Sequence, residues 1–360
     1  MSYMDQALTL ARQSLGEVHP NPPVGAVLVR NGKVISEGIT QLPGGPHAEI
    51  MALAELDYQA SGSVMYSSLE PCCHYGRTPP CTDAIIRAGV TEVHIAVLDK
   101  NPKVFSRGKE QLEKAGIKVV VSEFSPVVEQ LYEAYFKFIT TGLPFVTFKF
   151  ASSLDGKIAA TDGSSSWITA QGARDKVHLL RSESDAVMVG IGTVLADNPK
   201  LTARDSDGRL LDKQPIRIIV DSHCRISPHA NALTDDGMTL ITCLEEQNVN
   251  KDRLKARGIK VIETPSFNGT VDLSSMLSQL GSMGITSVLF EGGGTLASSL
   301  IQHSLIDKMI GVIAPRFIGG KDAPTPFDGA GFSSLAASQQ VRDVSVQQIG
   351  PDIMIKGYLH

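Results

Sequence analysis

Apolar residues recur along the chain with two periods, about 3.6 and about 2, and glycine or proline marks most changes between them. Met4, Leu8, Ala11 and Leu15 share one helical face, which Gly16 ends. A proline-rich stretch at 19–23 leads into predicted strands at 24–29 and 34–39, joined by Asn31 and Gly32 as a two-residue hairpin turn. Ala48, Met51, Ala52, Leu53 and Leu56 then fall at helical spacing, putting His47 and Glu49 in a first helical turn. A strand at 64–69, a helix from about 81 to Gly89, a strand at 93–98, a helix around 112–115 and a strand at 117–121 follow. Val127, Val128, Leu131, Tyr135 and Phe138 mark one more helix.

Residues 140–144 break the pattern and are read as a domain boundary, giving units 1–144 and 145–360. The second unit opens on a clean alternation at 144–150, with Val146, Phe148 and Phe150 on one face and Thr147 and Lys149 on the other. A turn is predicted at 151–157, a helix after Thr169, a buried strand at 187–189, and turns at 190–193 and 196–199. Residues 205–214 read as a charged loop. Strands are predicted at 216–220, 239–242, 260–262 and 285–290, with a loop at 264–270 and a helix from the glycine cluster to about 305. Both halves thus alternate strand and helix, the pattern of α/β folds.

The 360 residues exceed one ordinary core, consistent with two domains. A composition 42% hydrophobic and 20% charged is that of a globular protein, and the net charge of -5 offers no general attraction to nucleic acid. No stretch approaches the length of a membrane span or a secretory signal, so a cytoplasmic enzyme is expected. Five cysteines, three of them between 72 and 81, suit metal ligation better than a disulfide framework. Cys224 and Cys243 read as plain buried thiols.

His47, Cys72 and Cys81 supply three ligands of types that hold zinc, and three protein ligands leave a fourth position for water. Glu49 is then better used as the proton carrier than as a fourth ligand. A closed structural site completed by Cys73 or His74 is the alternative. In the second half, Gly292, Gly293 and Gly294 join a strand to a helix, where backbone amides can approach a pyrophosphate. The same cluster also makes a simple tight turn. The run 292–297 fits a dinucleotide-binding pattern, but it lies near the end of its domain, and Asp307 precedes the next strand instead of ending it, which argues against a Rossmann domain.

The first half resembles the cytidine-deaminase-like superfamily, through His47, Glu49, Cys72 and Cys81. The eight residues between the two thiols, with His19, Pro20, Asn21, Pro22 and Pro23 upstream, make it most similar to the pyrimidine deaminases of riboflavin biosynthesis. Residues 149–157, 165–169, 193–204 and 291–299 resemble the reductase half of the bifunctional riboflavin-pathway family, which has a dihydrofolate-reductase-like fold. The resemblance implies an α/β protein with an N-terminal cytidine-deaminase-like αβα domain and a C-terminal dihydrofolate-reductase-like α/β domain. It implies zinc and NADPH as cofactors, and a phosphorylated pyrimidine as substrate. No nucleic-acid or membrane partner is expected, and a homo-oligomer, a dimer, is.

Residue by residue, the resemblance puts Asn21 and Arg77 on the deaminase substrate. It puts Ala151, Trp167, Thr193, Asp197, Ser222, Gly293, Gly294, Thr295, Leu296, Ala297, Ser298 and Ser299 on NADPH. Ser165, Arg181, Leu201, Arg204 and Glu291 would surround the reductase substrate, the two arginines at its phosphate and Glu291 at its ring N–H groups. Lys149 would stabilise the opened sugar or supply a proton. Where the family often has a histidine two residues after Gly38, this chain has Thr40.

Overall fold

The computed structural model describes residues 2–359 apart from 124, 166, 235 and 330, and divides into two units, Met1–Leu143 and Pro144–His360. The first contains α1 (Tyr3–Gln13), β1 (Gly25–Arg30), β2 (Lys33–Ile39), α2 (Ala48–Ala54), β3 (Val64–Ser67), α3 (Cys81–Arg87), β4 (Glu92–Ile95), α4 (Arg107–Lys114), β5 (Lys118–Val121) and α5 (Pro126–Thr141). Its five strands lie in the order β2-β1-β3-β4-β5, antiparallel across the first three and parallel beyond. Local chemistry sets the ends. Ser2 and Asp5 close a capping box on α1, and Asn31 and Gly32 turn the hairpin with φ of 52° and 72°.

Alternate residues of β1 enter two apolar clusters. Ala26 and Leu28 join Ala48, Ala52 and Leu53 of α2, while Val27 and Val29 join Ala7 of α1. The sheet is therefore covered by helices on both faces, an αβα arrangement. A Cβ on Gly38 would lie 2.0 Å from the Ala48 carbonyl oxygen, so the first turn of α2 rests directly on the β2 backbone. That contact fixes where His47 and Glu49 begin.

The second unit contains β6 (Phe145–Ser153), α6 (Gln171–Glu183), β7 (Ala186–Gly190), α7 (Ile191–Asp197), β8 (Ile216–Val220), β9 (Thr239–Leu244), α8 (Val249–Ala256), β10 (Lys260–Thr264), β11 (Ser266–Phe267), β12 (Thr270–Val271), α9 (Leu273–Ser282), β13 (Ser287–Phe290), α10 (Gly294–Gln302), β14 (Lys308–Ala314), β15 (Arg342–Ile349) and β16 (Asp352–Tyr358). Nine strands form one sheet in the order β10-β9-β8-β7-β13-β6-β14-β16-β15. It is parallel from β10 through β14 and antiparallel in its last two pairs. β7 is buried along its whole length, as a central parallel strand must be. Asp185 pins its start to β13, accepting from the Thr286 and Ser287 amides at 2.7 and 3.1 Å.

Several local expectations are corrected. Residues 190–193 do not turn: Ile191 and Val194 are buried, and their burial carries the segment into α7, which also contains Asp197. Residues 151–153 continue β6 because they pair with 312–314 of β14. The 264–270 loop holds the short β11–β12 hairpin. The helices α8 and α9 and the strands β15 and β16 lie where no element was assigned from sequence, β14 is the strand expected after Asp307, and α10 stops at Gln302.

Candidate active sites

His47 caps the N-terminus of α2 and Cys81 opens α3, so two helix starts converge on the loop that carries Cys72. The His47 Nδ1 lies 3.3 Å from the Cys81 sulfur and 3.5 Å from the Cys72 sulfur. Two donors on one tetrahedral zinc, at the usual Zn–N and Zn–S lengths, would be about 3.6 Å apart. The nitrogen and two sulfurs all lie within 4.8 Å of one another, and among the described residues Cys73 and His74 are not part of the group. The donor set therefore fits zinc. The remaining ring nitrogen, Nε2, is 3.2 Å from the Thr78 hydroxyl, a contact that holds the ring with Nδ1 toward the sulfurs.

Electrostatics agree with this arrangement. The hydrogen bond from Cys81, followed against burial by that from His47, pulls the Cys72 thiol well down, which favours the thiolate that a metal binds. Glu49 is 3% exposed, with Oε2 3.5 Å from the Cys81 sulfur. Burial, and then the Cys72 charge, raise its pKa, which suits a carboxyl that must both take and return a proton.

A cavity of about 440 Å³ opens over these groups and is lined by Asn21, Arg77 and Thr40, among others. The Thr40 hydroxyl accepts from the Val24 amide at 3.2 Å, and Thr40 itself is buried. Sequence reasoning missed Thr78, Asp99, Asn101 and Tyr135, which also line the cavity. Asp99 accepts from the Asn101 amide at 2.8 Å and the Tyr135 hydroxyl at 3.2 Å, and burial raises its pKa to about 6. The available signal was position: Asp99 and Asn101 lie in the segment following β4, and α/β folds bind ligands beyond strand ends.

In the second unit, Lys149 on β6 and Glu291 just after β13 lie on neighbouring parallel strands, Phe148 pairing with Phe290. Arg181, from α6, grips Glu291 with two prongs, Nε to Oε1 at 2.6 Å and Nη2 to Oε2 at 2.8 Å, and its Nη1 donates to the Thr202 carbonyl at 2.9 Å. Burial raises the Glu291 pKa, but the charge and hydrogen bonds of Arg181, with Lys149, outweigh it and leave a net lowering. Burial lowers the Lys149 pKa, against the Glu291 charge and aided by Arg181. Arg181 and Glu291, both expected at the reductase substrate, are thus brought together as a pair. Both are occupied by each other, because a buried carboxylate and a buried guanidinium leave least unpaired charge that way.

Arg204 donates from Nε to the Thr202 hydroxyl at 3.0 Å and from Nη1 to the Gly208 carbonyl at 2.7 Å. Leu201, at the start of the same turn, has φ of 57°. The Ser165 hydroxyl donates to Asp197 at 2.9 Å, while Ser166 lies outside the described residues. Trp167 is 67% exposed, with the Arg174 guanidinium 4.2 Å from its ring centre.

The strand-to-helix turn has φ of 136° at Gly292 and 102° at Gly293, values that require glycine. Built Cβ atoms there come nearest the Thr193 hydroxyl, at 3.8 and 3.7 Å, so Thr193 faces this turn. Gly294, Thr295 and Leu296 form the first turn of α10. Ala297, Ser298 and Ser299 follow in the same helix. Ala297 is fully buried, and the buried Ser298 hydroxyl donates to the Asp328 carbonyl. The Ser299 hydroxyl donates to the Thr295 carbonyl at 3.1 Å. Ser222 follows β8, its hydroxyl accepting from the Val271 amide at 3.1 Å, and Ala151 is a half-buried residue of β6.

Residues 1–97 match the cytidine and deoxycytidylate deaminase zinc-binding region, and residues 144–355 match the RibD C-terminal domain. The riboflavin biosynthesis protein RibD of Aquifex aeolicus is 39% identical over 354 residues, covering 98% of this chain and 97% of its own. This chain belongs to the RibD family of riboflavin biosynthesis proteins. The Escherichia coli RibD is 38% identical over 365 residues, 98% of this chain and 97% of its own. RibD of Acinetobacter baumannii superposes with a TM-score of 0.87 at 35% identity, covering 99% of this chain and 98% of that one. The Thermotoga maritima deaminase and reductase, likewise at 0.87 and 34% identity, covers the same shares. As a RibD, the chain is a bifunctional enzyme, a zinc-dependent deaminase and a reductase.

Proposed function

We propose that residues 1–144 deaminate 2,5-diamino-6-(5-phosphoribosylamino)pyrimidin-4(3H)-one, and that residues 145–360 reduce the ribosyl group of the product to a ribityl chain. The observation that carries the reading is the approach of the His47 nitrogen to two cysteine sulfurs with buried Glu49 beside them. Zinc held by His47, Cys72 and Cys81 supplies a Lewis acid that makes water nucleophilic near neutral pH. Glu49 takes the proton from that water and returns it to the departing amine. Asn21 and Arg77 orient the substrate, the guanidinium fork being suited to a phosphate or a ring carbonyl.

NADPH supplies the hydride for the second reaction. Ala151, Trp167, Thr193, Asp197, Ser222 and the 293–299 segment are its proposed contacts. Lys149 stabilises the opened sugar or gives it a proton, and the nearby Glu291 charge favours its ammonium form against burial. Ser165, Arg181, Leu201, Arg204 and Glu291 surround the substrate, with Arg204 as a cation for its phosphate.

A homodimer through β15 is the proposed assembly. This strand ends the sheet and is exposed on both faces, with Val344 53% and Val346 67% exposed, and uncovered edges of this kind favour pairing. The proposed location is the cytoplasm: all five cysteines are free, and no helix of the described residues is long and apolar enough to cross a membrane. Turnover of the diaminopyrimidine with and without NADPH tests the function. Ammonia release in both arms and a ribityl product only with NADPH are expected. Ammonia release that requires NADPH, or no NADPH oxidation at all, would overturn the two-site reading.

A further inference from the structure

His178 lies one helical turn before Arg181 on α6 and has no part in the roles proposed for that site. Its Nδ1 is 3.2 Å from the Thr202 carbonyl oxygen, which also accepts from Arg181 Nη1 at 2.9 Å. A carbonyl can only accept, so Nδ1 carries the proton and the neutral ring is the Nδ1–H tautomer. Burial, and then the neighbouring Arg181 charge, lower the His178 pKa and favour that neutral ring, with the Thr202 hydrogen bond and Glu291 opposing and Arg204 adding to the effect.

The segment held in this way needs holding. Leu201, 3% exposed, sits in the left-handed region with φ of 57°, a conformation that a branched residue keeps only when its surroundings over-determine it. On one side, the Gln214 side chain binds the Ala203 amide at 2.9 Å and the Ala203 carbonyl at 2.8 Å. On the other, the Thr202 carbonyl is fixed by two donors from α6, His178 and Arg181. Arg204 then leaves the turn braced by the Thr202 hydroxyl.

We infer that His178 is a positioning residue of the reductase half, holding through the Thr202 carbonyl the turn that presents Leu201 and Arg204 to the pyrimidine substrate. The inference rests on the proposed role of Arg204 as a substrate contact.

Steady-state kinetics of the full chain with NADPH and 5-amino-6-(5-phosphoribosylamino)uracil test it, using His178→Leu, His178→Asn and Arg204→Ala. Leucine removes the donor at similar volume, whereas asparagine keeps an N–H near the place of Nδ1. His178→Leu should raise KM for the pyrimidine roughly fivefold, the size of one neutral hydrogen bond, with KM for NADPH unchanged. His178→Asn should restore the parent KM. An unchanged pyrimidine KM in His178→Leu, an equal rise in KM for NADPH, or an asparagine variant as impaired as the leucine one overturns the inference. A raised KM in Arg204→Ala beside a flat one in His178→Leu sinks the inference alone. A flat KM in Arg204→Ala removes the substrate role of Arg204 and the inference with it.

Discussion

Arg181 and Glu291 stand 110 positions apart in sequence and meet in a two-pronged ion pair of 2.6 and 2.8 Å, with side chains 15% and 8% exposed. Removing one partner strands the other charge in a poorly solvated place, which costs about 3–5 kcal/mol. Glu291→Ala should therefore lower the urea midpoint of the reductase half clearly, and Arg181→Met with Glu291→Leu together should lower it less. The Glu291 pKa is depressed in the folded state, so this stabilisation is present above the ordinary carboxylate pKa and fades as pH falls through the depressed value. A parent midpoint unchanged in Glu291→Ala at pH 7 would contradict the pair.

Lys149 carries a pKa lowered by burial, so its proton is lost at a lower pH than that of a free lysine. If the ammonium form acts on the sugar, reductase kcat should decline on the alkaline side before the ordinary lysine range. In Lys149→Arg the guanidinium stays protonated throughout, and that decline should disappear while the rate drops on the order of 100-fold or more. The check is a pH profile of NADPH oxidation for both proteins. The same alkaline limb in the arginine variant would exclude Lys149 as the titrating group.

The candidate zinc donors were legible because the chemistry constrains residue type, and the structure brings His47, Cys72 and Cys81 together. The β1–β2 hairpin was legible because Asn31 and Gly32 are selected by a positive φ. The Arg181–Glu291 pair was not, since nothing local links residues 110 apart. Thr78 was hidden in the same way, its importance coming from the Nε2 of a histidine 31 positions away. β15 was missed for another reason: it is exposed on both faces, so it lacks the alternation by which a strand is recognised. At 190–193 two glycines signalled a turn, and the burial of Ile191 and Val194 overrode them.

Glu49 should separate metal binding from proton transfer. It is buried beside Cys81 but is not one of the three clustered donors, so Glu49→Gln should bind zinc like the parent. Losing the proton carrier should slow ammonia release by roughly 10²–10⁴-fold. Metal content by atomic spectroscopy and an ammonia assay on the same preparation read the two effects. Normal turnover, or loss of zinc in proportion to activity, would remove Glu49 from the proton path.

Thr78 makes a sharper prediction about the metal centre. Its hydroxyl lies 3.2 Å from His47 Nε2, and the two sulfurs lie on the Nδ1 side of the same ring. For Nδ1 to offer a lone pair, the ring proton must sit on Nε2, where Thr78 is the acceptor. Thr78→Val keeps the shape and removes that acceptor, freeing the ring to take the other tautomer or to rotate. Zinc affinity, measured by competition with a chromophoric chelator, should fall by about 10–100-fold, the usual effect of losing such a partner. Thr78→Ser, which retains the hydroxyl, should bind zinc nearly as the parent does. Equal affinity in the valine and parent proteins would mean that the histidine is oriented by the α2 backbone alone.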